Sequence, residues 1–402
     1  MHSAAGAVLA LSATAANAGI ITPAGDWTVD IGGNVNAYAV WAKEKGSATI
    51  NGGLNALTGS NTTNQFTNGL LPNFLSVSGS TRQNDLDVAF TISLQPGSAH
   101  NEALGVGAGG GINNRQNFIT FGDKSWGSVK LGKDLGIFAS DAILSDMTLL
   151  GVGAMATNPA SNTTLGRIGY GYIYADWKPQ ISYTTPNFSG LQATVGVSQA
   201  FIASSYIAGT STTASSTNAS PAYEGKASYS FAANDVTGKV WVSGIAQHTG
   251  AFVGYSNNDP TAYAGDIGAN VNLAGFGLTG YYYHGTGIGT QGQMQNGYGK
   301  VGSTTVLDAR DSKGGYVQAT YVLPTKTKVG YSYGESILES GDGETTSVGN
   351  LFSKNEMHTV GVYHPLTKHL NLVAEYSHVR SENQAGQKNE NNIGSLGGIL
   401  FF

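Results

Sequence analysis

Apolar and polar side chains alternate with a period of two along much of this chain. From Trp27 to Trp41 the odd-numbered positions carry only Trp, Val, Ile, Gly and Ala, whereas the even-numbered positions carry mostly Thr, Asp, Asn, Gly and Tyr. Residues 85–94 and 262–273 repeat this alternation. Because neighbouring side chains on a strand point to opposite faces, each segment would form a strand with one apolar and one polar face. Each segment is also longer than the average strand of ~5–6 residues.

The same pattern, followed through the chain, predicts sixteen strands separated by connections that alternate between long and short. The predicted strands are 27–41, 74–83, 85–95, 115–123, 128–135, 168–185, 190–200, 222–232, 236–248, 261–273, 276–285, 314–323, 326–336, 355–364, 368–380 and 395–402. The predicted long connections are 42–73, 96–114, 136–167, 201–221, 249–260, 286–313, 337–354 and 381–394. Because every second connection is long, all long connections would lie at one end of the strands and both termini at the other. This arrangement is typical of an up-and-down barrel.

The character of the two strand faces indicates where the strands lie. The polar face is rich in Asn, Thr, Ser and Gly and poor in Lys and Glu, unlike the outer face of a soluble β-sandwich. An uncharged apolar face on strands of this length suits a tilted passage through a bilayer. Only a closed sheet satisfies every backbone group in lipid. We therefore predict an all-β fold, a transmembrane antiparallel up-and-down barrel of sixteen strands; an array of soluble sandwiches is the disfavoured alternative.

Composition narrows the class of protein further. Of 402 residues, 58 are glycine, none is cysteine and 11% are charged, with a net charge of -5. The lack of cysteine excludes disulfides and thiolate metal sites. The charge balance, without a basic cluster, argues against a nucleic-acid partner. Beyond the N-terminus no uncharged apolar run approaches the ~20 residues that a membrane-spanning helix needs.

Sequence signals for catalysis are weak. Gly105, Gly107 and Gly110 have the spacing of a dinucleotide-binding motif, but they follow a loop and precede no predicted helix. The histidines lack the close spacing of a metal site, and the sequence contains no Gly-x-Ser-x-Gly motif. We therefore expect no enzyme activity and no metal or cofactor.

The N-terminus has the pattern of a secretory signal peptide. Ser3–Ala13 is an apolar run, and Ala16 and Ala18 form a small-x-small cleavage signal. The pattern predicts a signal peptide at 1–18 and one barrel domain at 19–402. No Lys or Arg precedes the apolar run, so we expect that the true start lies upstream. Export without cysteine fits the envelope of a Gram-negative bacterium.

Several segments resemble one family of membrane barrels. Arg115–Gly136 reads RQNFITFGDKSWGSVKLGKDLG, and Asp141-Ala142 and Asp146-Met147 follow it. Ile181–Val195 reads ISYTTPNFSGLQATV, and the chain ends in Phe402. Together these features resemble the trimeric general diffusion porins of Gram-negative outer membranes.

The resemblance implies a function, a location and partners. The function would be a water-filled channel for passive diffusion of ions and small hydrophilic solutes. The location would be the outer membrane, with both termini in the periplasm. The partners would be outer-membrane lipid and lipopolysaccharide, two further copies in a homotrimer, and the barrel-assembly machinery, for which Phe402 would be the signal.

The resemblance also implies a constriction. In this family the third loop folds into the barrel and narrows it, and here that loop is residues 136–167. Its acids face a row of arginines on the opposite wall. The candidate constriction residues are Arg82, Arg115, Arg167, Asp141, Asp146, Lys130 and Asp134. Leu150 stands where the family often has a glutamate, so we expect a weaker transverse field and leave the ion preference open.

One physical argument supports the constriction independently of the resemblance. Met147–Val152 is an apolar stretch in a connection of about thirty residues, far above the usual length. Such a stretch would be unfavourable on an outer loop in water. Packing it against the inside of the barrel would remove it from water.

Two other functions remain open from the sequence. The first is a substrate-selective channel of the same architecture, for example for sugars or anions. Tyr170, Tyr172, Tyr174 and the run Tyr281–Tyr283 could line a path for sugars. The second is a barrel adhesin.

Overall fold

A computed structural model describes residues 19–53, 62–98, 112–155, 162–207, 213–217, 220–258, 260–344 and 349–402. Strands make up most of these residues. The two helical elements are short: helix α1 spans Ser140–Ser145 and a 3-10 helix spans Met147–Leu150. Within the described ranges, no helix is both long enough and apolar enough to cross a membrane. The predicted signal peptide at 1–18 lies outside the described residues.

The described residues form twenty-four strands. In chain order they are β1 (Ile20–Ala24), β2 (Trp27–Lys45), β3 (Thr62–Thr67), β4 (Phe74–Gln83), β5 (Leu86–Pro96), β6 (Ile112–Asn113), β7 (Asn117–Asp123), β8 (Gly127–Leu135), β9 (Trp177–Thr184), β10 (Leu191–Ser198), β11 (Ser204–Tyr206), β12 (Thr213–Ser215), β13 (Ala222–Ala233), β14 (Val236–His248), β15 (Ser256–Asn257), β16 (Thr261–Leu273), β17 (Phe276–Thr286), β18 (Tyr298–Lys300), β19 (Val306–Ala309), β20 (Asp311–Val322), β21 (Lys328–Leu338), β22 (Phe352–Pro365), β23 (Leu370–Asn383) and β24 (Lys388–Phe401).

Sixteen of these strands form one closed antiparallel barrel, which confirms the predicted fold class. Each strand of the wall pairs with the next in the order β2, β4, β5, β7, β8, β9, β10, β13, β14, β16, β17, β20, β21, β22, β23 and β24. The other eight strands are short and belong to the connections or to the edge of the wall.

The barrel closes where the first and last strands of the wall meet. Strands β2 and β24 pair from Asn34 opposite Phe401 to Lys45 opposite Glu390. One step further, the Gly33 N–H donates to the Phe402 carbonyl at 2.8 Å, and the Phe402 N–H donates to the Gly33 carbonyl at 3.1 Å. A β-carbon at position 33 would collide with the backbone of β4 on its other side, so this seam requires glycine.

The two faces of the wall follow the predicted alternation. In β16, Ile267 is 58% exposed whereas its neighbour Asp266 is 7% exposed. In β2, Val35 is exposed and Asn36 is buried. The apolar faces form the outside of the barrel, and the polar faces form its inside. The prediction of which side chains form the apolar face and which form the polar face of these strands is therefore confirmed.

Two predicted segments differ most from the structure. The strand predicted at 168–185 begins only at Trp177, because Gly169 and Gly171 adopt positive φ and Ile173 packs into the buried core instead of the sheet. The long connection predicted at 381–394 is a turn at 384–387, since Glu382 pairs with Lys388 and extends both strands.

Candidate functional site

The longest connection between neighbouring strands of the wall runs from β8 to β9, and we call it the 136–176 segment. The structure describes it except for residues 156–161. It contains α1 and the 3-10 helix, which is capped by Asp146: the Asp146 carboxylate accepts from the Thr148 N–H at 3.0 Å and from the Thr148 hydroxyl at 2.7 Å. Its backbone and side chains contact the polar faces of strands from β13 to β23.

A buried glutamate on β13 binds the start of this segment. Oε2 of Glu224 accepts from the backbone N–H groups of Ile137 and Phe138, both at 2.9 Å. Its other oxygen accepts from Lys178 Nζ and from the Ser198 hydroxyl, each at 2.6 Å. Both charged groups of the Glu224–Lys178 pair are almost fully buried. Removal of either group would leave the other charge buried without its partner, which is strongly destabilising.

A second buried glutamate, on β23, binds the segment after the 3-10 helix. Oε2 of Glu375 accepts from the N–H groups of Val152 and Gly153, at 2.7 and 2.8 Å. Its other oxygen accepts from the Tyr363 hydroxyl at 2.6 Å. A β-carbon on Gly151 would collide with this carboxylate, so the close approach requires glycine there. Glu224 and Glu375 therefore fix the segment at two distant positions of the wall.

Asp141, on α1, lies between two lysines of the wall. Its Oδ2 is 2.9 Å from Lys226 Nζ on β13, and its Oδ1 contacts Lys239 Nζ on β14. Burial raises the pKa of the Asp141 carboxyl, but the two ammonium groups together outweigh burial and hold this pKa below its ordinary value. Asp141 is therefore ionised at neutral pH.

Asp146 has a different environment, because the cation nearest to it is the buried Arg167. Its Oδ1 is 3.9 Å from Arg167 Nε, and both side chains are fully buried. Tyr172 donates its hydroxyl hydrogen to Oδ2 of Asp146 at 2.9 Å. Arg167 donates to the Met357 carbonyl at 3.1 Å and to the Ser332 hydroxyl. The structure thus brings together two predicted site residues, Asp146 and Arg167, inside the packed core of the segment.

Lys130 and Asp134 form an ion pair on the polar face of β8, where the segment begins. Arg115 lies close by: its guanidinium donates to the Asn162 side chain at 3.3 Å and lies 5.9 Å from the centre of the Trp177 ring. The sequence predicts Lys130 and Asp134 near the start of the loop, and their ion pair lies there. The resemblance predicts that Arg115 faces Asp141 and Asp146, but those acids pair with Lys226, Lys239 and Arg167 instead.

Arg82 lies elsewhere, at the end of β4 beside a short connection. Its guanidinium binds Asp87 at 2.8 Å and Asp123 at 2.9 Å, and its side chain is 47% exposed. The structure therefore does not bring Arg82 together with Asp141, which contacts β13 and β14 instead. The two nearby acids, Asp87 and Asp123, therefore satisfy the charge of this arginine without the 136–176 segment.

Sequence reasoning missed the wall residues that bind the segment. These are Lys178, Glu224, Lys226, Lys239 and Glu375. A signal was available, because each lies on the polar face of a predicted strand, where charged residues are rare in this chain. The sequence does not show which of these residues contact the segment, because those contacts join residues far apart in the chain.

The glycine motif at 105–110 lies outside the described residues. Within the described ranges, no cluster of His, Cys, Asp or Glu could hold a metal ion.

Comparison with known proteins gives one family. A family model described as Gram-negative porin matches residues 4–384. No curated protein matches the chain.

Solved structures of outer-membrane channels share the fold. The outer membrane channel DcaP of Acinetobacter baumannii has a TM-score of 0.70 at 15% identity, covering 96% of this chain and all of that one. The anion-selective porin from Comamonas acidovorans has a TM-score of 0.59 at 14% identity, covering 94% of this chain and all of that one. OmpF of Salmonella typhi, in complex with daunomycin, has a TM-score of 0.57 at 12% identity, covering 95% of this chain and all of that one.

Proposed function

Because this chain belongs to the Gram-negative porin family, we propose that it is an outer-membrane channel through which ions and small hydrophilic solutes diffuse passively. The closed barrel with polar inner faces is the observation that carries this proposal. A polar interior supports a column of water, which removes most of the Born penalty, on the order of 20 kcal/mol, that an ion faces in hydrocarbon. The protein would act as a channel and would catalyse no reaction.

The 136–176 segment would be the constriction of this channel. It is supported in this role by its hydrogen bonds to side chains on the inner faces of the wall, above all Glu224 and Glu375. The apolar residues Met147 and Val152 are 3% and 0% exposed, so the segment hides them from water as the sequence argument requires. Charged groups at such a narrow place decide which ions pass.

Deletion of residues 141–153 tests both the channel and the constriction. The full-length protein, inserted into a planar lipid bilayer, should give stepwise conductance, and the deletion variant should give larger steps at every salt concentration. The reason is that the deletion widens the narrowest cross-section. A protein that inserts without conductance would contradict the channel, and steps of unchanged size would contradict the constriction.

The assembly in the membrane is also a proposal. The family supports a homotrimer in the outer membrane, in contact with lipid and lipopolysaccharide. Phe402, whose backbone completes the seam of the barrel, would be read by the barrel-assembly machinery. Both termini would lie in the periplasm, together with the short connections. Cross-linking in native detergent should give trimers, and only monomers would contradict this.

A sugar-selective path along the tyrosines is not favoured by their positions. Tyr170, Tyr172 and Tyr283 are fully buried, so they pack between the segment and the wall rather than line a water-filled path. Tyr282 is 50% exposed, but it lies on the apolar outer face. These tyrosines therefore serve the packing of the barrel and its outer surface.

A further inference from the structure

Acids and bases around the 136–176 segment differ in their accessibility. Six carboxylates of the segment and the adjoining wall are between 4% and 7% exposed, namely Asp134, Asp141, Asp146, Glu224, Asp266 and Glu375. Each accepts hydrogen bonds from the segment or from the wall. Their negative charges are therefore directed into the protein and away from water.

Three lysines of the same region remain partly accessible. The side chains of Lys130, Lys226 and Lys239 are 18%, 21% and 34% exposed. All three lie on the polar face of the wall, where Lys130 is opposite Ser182, Lys226 is opposite Ser243 and Lys239 is opposite Asn270. A solute inside the barrel would therefore meet ammonium groups, with the carboxylates behind them covered.

The two lysines that bind Asp141 carry two positive charges, whereas Asp141 carries one negative charge. One carboxylate neutralises only one of the two ammonium groups that bind it, so Asp141, Lys226 and Lys239 together carry one excess positive charge. We call these three residues the lysine cluster. Asp266, the next acid, accepts from the hydroxyl groups of Ser243 and Tyr281 and is only 7% exposed, so its charge is covered whereas the two lysines remain partly accessible.

We propose that the lysine cluster makes this channel favour small anions over small cations. This inference rests on the proposed channel function and adds the charge class of the solutes. A positive charge on the wall raises the local concentration of anions and lowers that of cations over about a Debye length, ~10 Å at 0.1 M salt. The preference would thus come from local placement of charge, in a chain whose total charge is -5.

The test is the reversal potential of the full-length protein in a planar bilayer of neutral lipid, under a gradient of KCl at or below 0.1 M. The wild-type protein should be more permeable to chloride than to potassium. The double variant Lys226→Gln with Lys239→Gln removes two positive charges and should lower the chloride-to-potassium ratio about fourfold. The triple variant that adds Asp141→Asn removes one net charge and should lower the ratio about twofold.

A control variant separates local charge from total charge. Lys124→Gln with Lys326→Gln also removes two positive charges, but both residues lie exposed in short connections. This control should leave the ratio unchanged. All differences in the chloride-to-potassium ratio should shrink at 1 M salt, where the Debye length is ~3 Å, and single-channel conductance at 1 M should be the same in the control variant and the wild type.

The outcomes distinguish this inference from the channel function itself. Absence of any conductance would overturn the proposed function. Conductance with a ratio at or below one, or with the same ratio in wild type and double variant, would overturn the anion preference and leave the channel intact. If the lysines only held the segment in place, the double variant would change the conductance at 1 M salt. The chloride-to-potassium ratio of the triple variant would then not lie between those of the double variant and the wild type.

Discussion

Asp141 and Asp146 are five positions apart on the same segment, and they have opposite relations to water. Asp141 is bound by two lysines whose ammonium groups remain partly exposed. Asp146 lies 3.9 Å from Arg167, and neither side chain is accessible. The backbone around them also differs, because Asp146 caps the 3-10 helix whereas Asp141 makes no such cap.

The difference teaches that the effect of a buried acid depends on its partner. At Asp141 the accessible part of the ion pair is the cation, so in the proposed channel the site would act on passing ions as a positive charge. At Asp146 nothing of the pair is accessible, so the pair acts only on the packing of the segment. We therefore expect substitutions at the two acids to affect different properties of the protein.

The largest effect is expected at Asp146. Asp146→Ala leaves Arg167 buried without its carboxylate and removes the cap of the 3-10 helix. Breaking a buried ion pair from one side costs about 3–5 kcal/mol. The free energy of unfolding of the segment, measured by protease cleavage between residues 140 and 155 in increasing urea, should fall by that amount.

The exposed pair of Arg82 and Asp87 provides the control for this measurement. Asp87→Ala removes an ion-pair partner of the same type, but water screens that pair. Cleavage of the segment should be unchanged. Equal sensitivity of the segment to both substitutions would contradict the structural role of Asp146.

A smaller effect, on ion preference, is expected at Asp141. Asp141→Asn removes one negative charge beside Lys226 and Lys239 and should raise the chloride-to-potassium ratio about twofold at 0.1 M salt. Asp146→Asn should leave the ratio unchanged, because its charge is buried with Arg167. Reversal potentials that shifted equally in the two variants would mean that both acids face the passage.

The smallest effect is expected from pH. Because the pKa of Asp141 lies below its ordinary value of ~4, its ion pairs with Lys226 and Lys239 are complete above that value. They are lost only as the pH falls through the lowered pKa. Ion preference should therefore move toward anions below pH ~4, as the Asp141 carboxyl takes up a proton. This shift should be absent in Asp141→Asn, and an equal shift below pH ~4 in the two proteins would contradict the assignment.

The strands of the wall could be predicted from the sequence because the signal is local. Alternation from Trp27 to Trp41 needs only neighbouring residues, and a bilayer enforces it on every strand. The segment 168–176 could not be assigned in the same way. Its residues are as apolar as a strand, but they are buried by packing against Tyr316 and other residues far along the chain.

The candidate site was predictable in its location and not in its contacts. The family motif gave Asp141 and Asp146 equal weight, because a motif carries residue type and not exposure. Glu375 lies more than two hundred residues from the backbone groups that it binds. Only the closed barrel brings β13, β14 and β23 around the segment, so the lysine cluster and both glutamates follow from tertiary packing.

The seam between Gly33 and Phe402 has a consequence for how the molecule is made. Almost the entire chain separates the two residues whose backbones complete the wall. Contacts between such distant residues form late, because the entropy of a very large loop must be lost before they form. Until β24 pairs with β2, both strands would present unpaired edges that can join other chains. A chain that lacks β24 would therefore aggregate during biogenesis, rather than yield a slightly less stable barrel.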